Sequence, residues 1–248
     1  MCLIAFQWAP DSATPLVLAA NRDEFHDRPT QALHWWNWPE GPLAGRDQQA
    51  GGTWLALRRD GRFAALTNYR DPAATTGNRS RGELPILWLQ SEQVPSSFGR
   101  QLHSHADRFS PFNLLYGDRD ELWIVGTHTQ AAPVEPGIHA LSNGLLDTPW
   151  PKSIGAVRRM QLWIERNTSD MGSLLDLLED RDPAPDHELP DTGVSIEFER
   201  LLSAPFIVNP RYGTRSSTAL TLGHRCRIAE RQFDPEGNTV GERIFGWQ

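Results

Sequence analysis

Short apolar runs joined by tight turns recur along this chain, and they restrict it to an architecture built on antiparallel strands. Residues 2–8 are apolar and β-prone, Pro10-Asp11-Ser12 interrupts them, and Leu16-Val17-Leu18-Ala19-Ala20 follows as a second buried run. Residues 51–57 and 63–69 read as another hairpin, turned at Asp60-Gly61. Residues 112–116 and 121–126 make a further one, turned at Asp118-Arg119-Asp120. Strands are also expected over 216–222, 225–233 and 239–245, with Asp234-Pro235-Glu236-Gly237-Asn238 as the last turn. Helical patterns lie between these blocks. Residues 82–89 open one helix, and Pro151 suits the first position of another. After Pro151, the residues Ile154, Val157, Gln161 and Ile164 fall at mixed three- and four-residue spacing, with Trp163 beside them. Ser169 and Asp170 are caps for a helix through Leu178, residues 197–202 add a short helix, and 95–108 read as an amphipathic surface helix or loop. With no βαβ repeat and no glycine-rich phosphate loop, the expected class is α+β, in layers.

Composition narrows the function more than the fold. A length of 248 residues buries a sizeable core, and residues 183–190 read as a loop inside one domain spanning 1–248. The net charge of −7, from 31 acidic and 24 basic side chains, argues against a nucleic-acid partner. No apolar run approaches the ~20 residues of a membrane span, and residues 1–8 are too short and lack the basic start of a signal peptide. The expected setting is cytoplasmic. Two cysteines, Cys2 and Cys226, exclude a disulfide-dense scaffold. Lys152 is the single lysine. Ten tryptophans stand against three tyrosines, and three of them cluster in His34-Trp35-Trp36-Asn37-Trp38. Core packing absorbs most of the ten.

Cys2 has two readings. Methionine aminopeptidases remove an initiator that precedes a small residue, which would leave a thiol and a free α-amine on one residue. An amine of pKa ~8 can act as general base for its own side chain, and a thiol of pKa ~8.5 is already a good nucleophile. The alternative is a small buried hydrophobe at the edge of the first strand. Asn21-Arg22-Asp23-Glu24 then brings four polar residues to the end of an apolar strand that should lie beside the first.

The stretch Leu18-Ala19-Ala20-Asn21-Arg22-Asp23-Glu24-Phe25 resembles the signature of the NRDE family, whose animal members are called transport and Golgi organisation proteins. Met1-Cys2-Leu3-Ile4, Gly51-Gly52-Thr53-Trp54-Leu55, Ala65-Leu66-Thr67-Asn68-Tyr69, Arg81-Gly82-Glu83-Leu84 and Phe112-Asn113-Leu114 extend the resemblance. So do Leu141-Ser142-Asn143, Thr148-Pro149-Trp150-Pro151-Lys152 and Tyr212-Gly213-Thr214-Arg215, in the family's order over nearly the whole chain. The family in turn resembles N-terminal nucleophile hydrolases, in particular cysteine-led acylases of the bile-salt hydrolase and penicillin V acylase type. That implies an αββα sandwich of two antiparallel sheets with helices on the outer faces.

Carried over by resemblance, Cys2 is nucleophile and base, and Arg22 and Asp23 orient the terminus. Asn68 and Asn143 are oxyanion candidates, and Arg215 is a late cationic contact. Arg22 and Asp23 are adjacent here, whereas the acylase pair is spaced. Adjacent strand residues face opposite sides, so the pair addresses one site only from a turn. Each partner also has a plainer role: turn salt bridges for Arg22 and Asp23, strand ends for Asn68 and Asn143, a structural ion pair for Arg215. The implied pocket is walled by residues 21–25 as a turn and by a loop over 35–38.

No metal is expected, because His103-x-His105 is the only tight histidine pair and no HExxH or CxxC accompanies it. The resemblance also implies a connection to haem trafficking and to acyl-CoA or lipid handling. Trp35, Trp36 and Trp38 are candidates to stack on a porphyrin or an acyl tail, with His34 or His26 as ligand. Any haem would be exchangeable, since no covalent attachment motif occurs. No cofactor is required for the favoured chemistry, cleavage of a non-peptide amide or thioester through an acyl-enzyme on Cys2. The alternative is a non-catalytic carrier of haem or acyl-CoA. The expected partner in either case is a small molecule.

Overall fold

The computed structural model describes residues 2–37, 41–74 and 77–248. Its described strands form two antiparallel sheets. In the first, β1 (Cys2–Trp8) lies between β10 (Gly137–Leu141) and β2 (Leu16–Phe25), and β11 (Tyr212–Leu222), β12 (Cys226–Phe233) and β13 (Thr239–Trp247) continue the sheet beyond β2. The second runs in chain order through β3 (Thr30–Trp35), β4 (Leu43–Asp47), β5 (Leu55–Leu57), β6 (Phe63–Asn68), β7 (Phe112–Gly117), β8 (Leu122–Gly126) and β9 (Ala132–Pro133). Five α-helices are described: α1 (Leu84–Gln90), α2 (Pro95–His103), α3 (Pro151–Glu165), α4 (Met171–Leu175) and α5 (Ile196–Ser203).

The period-2 pattern of each strand sorts its side chains into layers. Ile4, Phe6 and Trp8 of β1 face inward with Leu16 and Leu18 of β2, and they meet Leu55, Leu57, Phe63 and Leu115 of the second sheet. Leu3, Ala5, Val17 and Ala19 face outward and are covered by Ala156, Met160 and Trp163 of α3 with Met171, Leu174 and Leu175 of α4. Leu84 and Trp88 of α1 and Phe98 and Leu102 of α2 cover the other outer face, over Leu114 and Tyr116. The result is an αββα sandwich, in agreement with the expected α+β class.

The three hairpins form as the sequence indicates, with β1–β2, β5–β6 and β7–β8 paired antiparallel. Strands β3, β4, β9 and β10 were not expected. They are short, and several of their side chains are only half-buried, so their pattern falls below the alternation that marks a strand. The face of α3 also differs from the reading. Ile154 is 59% exposed, Ala156 and Met160 join the core in its place, and Trp163 and the partly buried Ile164 pack there as read. Residues 95–108 are largely helical, with α2 followed by a 3-10 turn at Ala106–Arg108. Asp170 caps α4 by accepting from the Gly172 and Ser173 amides at 3.1 and 3.0 Å.

Residues 21–25 are not a turn. They continue β2, and β11 pairs along them from Tyr212 opposite Phe25 to Ser217 opposite Asn21. Asn21 is fully buried on the outer face, donating to the carbonyls of Leu178 and Pro205 at 2.9 Å each and accepting from the Ser217 hydroxyl at 2.7 Å. It ties the strand to the helical layer. No helix among the described residues is long and apolar enough to cross a membrane.

Candidate active site

Cys2 and Arg22 sit directly opposite each other in the β1–β2 register, so their side chains share the inner face of the sheet. Asp23 points to the outer face. There its carboxylate accepts from the Thr214 hydroxyl at 2.7 Å, and its carbonyl accepts from the Tyr212 hydroxyl at 3.1 Å. β10 pairs with β1 only from Ile4 onward, which leaves the start of β1 as a corner of the sheet. A cleft of about 450 Å³ bends around this corner and is lined by Cys2, Arg22, Asp23 and Glu24 together. Adjacent residues on one strand therefore reach one cleft without a turn. A bulge in β11 assists. Thr214 pairs with Asp23 and Ser216 with Arg22, so Arg215 is the extra residue, and its two neighbours face opposite layers.

The second sheet closes the cleft. Asn68, the last residue of β6, lines it, and its side-chain amide makes no hydrogen bond within the described residues. Asn143 does not line it. Fully buried, it donates to the Asn68 carbonyl at 2.9 Å and so fixes the end of β6. Trp54 provides the floor, with the Arg22 guanidinium stacked 4.2 Å from its ring centroid. Thr53 and Trp54 are held by a close approach of two glycine backbones. The Thr53 amide donates to the Gly82 carbonyl at 2.9 Å, and a Cβ on Gly52 would stand 2.3 Å from Gly82 backbone atoms. At the mouth, Phe25 and Phe198 are 53% and 41% exposed, an apolar rim on a polar interior.

Charge is concentrated here. Arg22 and Arg28 approach Glu24 at 3.8 and 3.7 Å, and Arg28 also holds Asp47 at 2.6 Å. Burial pushes the Cys2 thiol up, Asp23 and Glu24 add to this, and Arg22 opposes them by favouring the thiolate. Burial likewise raises the Asp23 carboxyl, against the pull of Lys152, the Thr214 hydrogen bond and Arg22.

Lys152 opens α3 on the outer side of the sheet. Its ammonium is buried, donates to the Leu202 carbonyl at 3.0 Å and lies 5.9 Å from the Trp150 ring centroid. Burial lowers its pKa from 10.5 to about 8, with Asp23 as the main opposing charge. Between those two pH values an unfolded chain binds a proton that the folded chain does not, so the penalty for burying the ammonium is relieved as pH rises. The stability of the native protein minus that of Lys152→Met is therefore expected to increase from pH 8 to 10.5. Urea denaturation of both across this range checks it, and a flat or falling difference counts against a buried charged lysine.

Other sequence candidates lie elsewhere. Arg215 donates to the carbonyls of Phe25, His26 and Arg28 at 2.8, 3.1 and 3.3 Å, which braces the chain leaving β2. His34 and Trp35 belong to β3 and Trp36 to the turn after it, so residues 35–37 are not a loop walling the cleft, and Trp38 lies outside the described residues. Trp35 packs on Trp247 with centroids 5.2 Å apart, and Trp36 donates its indole N–H to the Ala44 carbonyl at 3.1 Å. The His34 and His26 rings are engaged by the carbonyls of Ala32 at 2.8 Å and Asn209 at 3.1 Å. The wall assigned to that patch is supplied by Trp54. Sequence reasoning passed over Trp54, Arg28 and Arg81 as site residues. Trp54 and Arg81 stand in blocks that carried the family resemblance, which was the available signal.

An αββα sandwich whose first strand begins at a cysteine facing an end cleft has the layout expected of an N-terminal nucleophile hydrolase-like protein. Comparison with known proteins then fixes the family. The chain belongs to the Transport and Golgi organisation 2 family, whose model matches residues 1–235. It is 32% identical over 248 residues to the Transport and Golgi organization protein 2 homolog of Bos taurus, covering 90% of this chain and 88% of that one. The Homo sapiens homolog is 32% identical over 244 residues with the same coverage. Among solved structures, the chain is similar to a Caenorhabditis elegans N-acylethanolamine-hydrolyzing acid amidase ortholog at TM-score 0.44 and 11% identity, over 89% of this chain and 92% of that one. A mutant conjugated bile acid hydrolase from Clostridium perfringens matches at TM-score 0.46 and 10% identity, over 100% of this chain and 97% of that one.

Proposed function

We propose that the protein is an N-terminal cysteine amidohydrolase that cleaves a non-peptide amide or thioester through an acyl-enzyme on Cys2. The observation that carries this is the meeting of Cys2, Arg22, Asp23 and Asn68 on one cleft from three strands of two sheets. Removal of Met1 frees the Cys2 α-amine. That amine takes the thiol proton as the sulfur attacks the substrate carbonyl. The Asn68 amide, which makes no hydrogen bond within the described residues, donates to the oxyanion of the tetrahedral adduct, a contact of a kind worth ~3 kcal/mol. The ammonium then returns its proton to the departing amine or thiolate, leaving a thioester on Cys2. Water attacks that thioester, the amine accepts its proton, and the carboxylic acid product leaves as the thiol is restored. Arg22 favours the thiolate against the burial that raises the thiol, and Asp23 orients the amine. The aromatic rim of Phe25 and Phe198 suits an apolar acyl group.

Intact mass spectrometry before and after incubation with a panel of acyl amides and acyl thioesters tests the reading. The expected masses are a chain lacking Met1, then the same chain carrying one acyl group on Cys2 before turnover is complete. A chain that keeps Met1 has no Cys2 amine, and the mechanism falls. Saturable binding of haem or acyl-CoA with no adduct on any panel member would instead favour the carrier reading.

A further inference from the structure

Three arginines line the cleft, and the two carboxylates of its inner face serve only two of them. Glu24 is shared by Arg22 and Arg28, and Asp47 is held by Arg28. Asp23 is turned to the outer layer. Arg81 is the remaining cation. Its guanidinium donates to the Pro111 carbonyl at 3.0 Å and forms no ion pair within the described residues. Its backbone is held by the turn it opens. Arg81 opens a 3-10 turn, Arg81–Glu83, closed by a capping box. The Ser80 hydroxyl accepts from the Gly82 amide at 3.2 Å, and the Glu83 carboxylate accepts from the Ser80 amide at 3.1 Å. Gly82 is fixed in turn by Thr53. Desolvation of the guanidinium is uncompensated by any carboxylate contact, and the charges it feels most are the Cys2 thiol and Glu24. An arginine on a fixed backbone, lacking a counter-ion among the described residues beside a nucleophile, is arranged to receive one from a ligand.

We infer that Arg81 is a specificity-determining residue that recognises an anionic group, carboxylate or phosphate, a few atoms from the scissile carbonyl of the substrate. The inference rests on the acyl-transfer reading of Cys2 for where that carbonyl sits. The substrate class becomes an acyl amide or thioester with an apolar tail against the Phe25 and Phe198 rim and a negative charge near the reacting bond. With Arg81 engaged by the ligand, Arg22, Arg28 and Arg81 each have an anionic partner.

Binding to the Cys2→Ala chain, which cannot turn over, isolates this property. The probes are matched pairs with one decanoyl chain, N-decanoylglycine against N-decanoylglycinamide, and the O-phosphate of N-decanoylethanolamine against N-decanoylethanolamine. By calorimetric titration the charged member of at least one pair is expected to bind ~10- to 100-fold tighter, the range of a hydrogen bond to a charged group. Which pair shows the larger ratio distinguishes carboxylate from phosphate. Adding Arg81→Gln should bring that ratio close to one, and Arg81→Lys should keep part of it, which separates charge recognition from damage to the turn. A ratio near one with Arg81 present, a ratio that survives Arg81→Gln, or no binding of any probe overturns the inference. Turnover by the chain that retains Cys2 is measured beside it and speaks to the acyl-transfer reading alone: a charge-selective cleft without turnover sinks that reading and leaves the anion site standing.

Discussion

Replacing Cys2 by alanine is expected to lower turnover of any amide or thioester substrate by a factor on the order of 10⁴ to 10⁶, the scale on which loss of an enzyme nucleophile is felt. The Ser80 and Thr53 hydroxyls that also line the cleft are engaged by the Gly82 amide and the Leu55 carbonyl. Asn68 and Arg22 can bind a carbonyl oxygen or a charge, but neither can carry an acyl group. The change should leave the fold in place. The Cys2 backbone carbonyl, which accepts from the Ser142 hydroxyl at 3.1 Å, is retained, and so is the β1–β2 pairing. The half-buried Cys2 side chain contributes little packing, so thermal unfolding should shift by less than about 1 kcal/mol. Cys2→Ser sharpens the test. A hydroxyl keeps the shape but is a much weaker nucleophile with the same amine as base, so its turnover should lie between the two. Steady-state kinetics beside a melting curve checks all three chains. Equal turnover by Cys2→Ala and the native chain would remove Cys2 from the chemistry.

Much of this site was legible in the sequence because its parts sit at strand ends, where apolar alternation stops abruptly. The change from Leu16-Val17-Leu18-Ala19-Ala20 to Asn21-Arg22-Asp23-Glu24 marks the point at which β2 leaves the core for the cleft. Two things were hidden. The alternation rule places Arg22 and Asp23 on opposite faces, where they are found, yet both meet one cleft with no turn between them. A cleft that bends around the first residue of β1 satisfies the rule without one, and strand order alone does not announce such a corner. The tryptophan patch misled for a different reason. Composition counts indoles without saying which face they take, and the irregular pairing of β3 with β4 turns Trp35 to Trp247 and Trp36 to Arg46. Trp54, isolated in the chain, became the cleft floor because the Gly52–Gly82 approach carries it there. That contact joins residues 30 positions apart, which no local pattern records.

The largest stability effect is expected at Glu199, at the centre of a buried charge network that also supports the cleft. Glu199 is 3% exposed and Arg70 is 8% exposed; the Arg70 guanidinium donates to the Glu199 carboxylate at 2.7 Å. The carboxylate also accepts from the Thr192 amide at 2.9 Å and from the Thr192 hydroxyl. Arg70 in turn stacks 5.2 Å from the Trp150 ring centroid, and its backbone amide donates to the Asn143 carbonyl at 2.7 Å. Since Asn143 holds Asn68, the network runs from α5 to the end of β6. Glu199→Ala strips a buried guanidinium of its counter-ion while the desolvation already suffered by Arg70 remains. Removing one partner of a buried pair costs about 3–5 kcal/mol, equivalent to a fall in Tm of roughly 6–20 °C for a chain of this size. Replacing both partners together, Arg70→Met with Glu199→Leu, should recover much of that loss, because an apolar pair leaves no charge buried alone. Calorimetry of the two single variants and the double variant checks the coupling; a loss below about 1 kcal/mol for Glu199→Ala would show that solvent reaches the pair. Turnover should separate the variants further. Phe198 stands beside Glu199 on α5 at the cleft mouth, so loosening α5 is expected to raise KM more than it lowers kcat, whereas disturbance transmitted through Asn143 to Asn68 is expected to lower kcat. The double variant, refilled but lacking the Arg70 charge, should restore Tm and KM together.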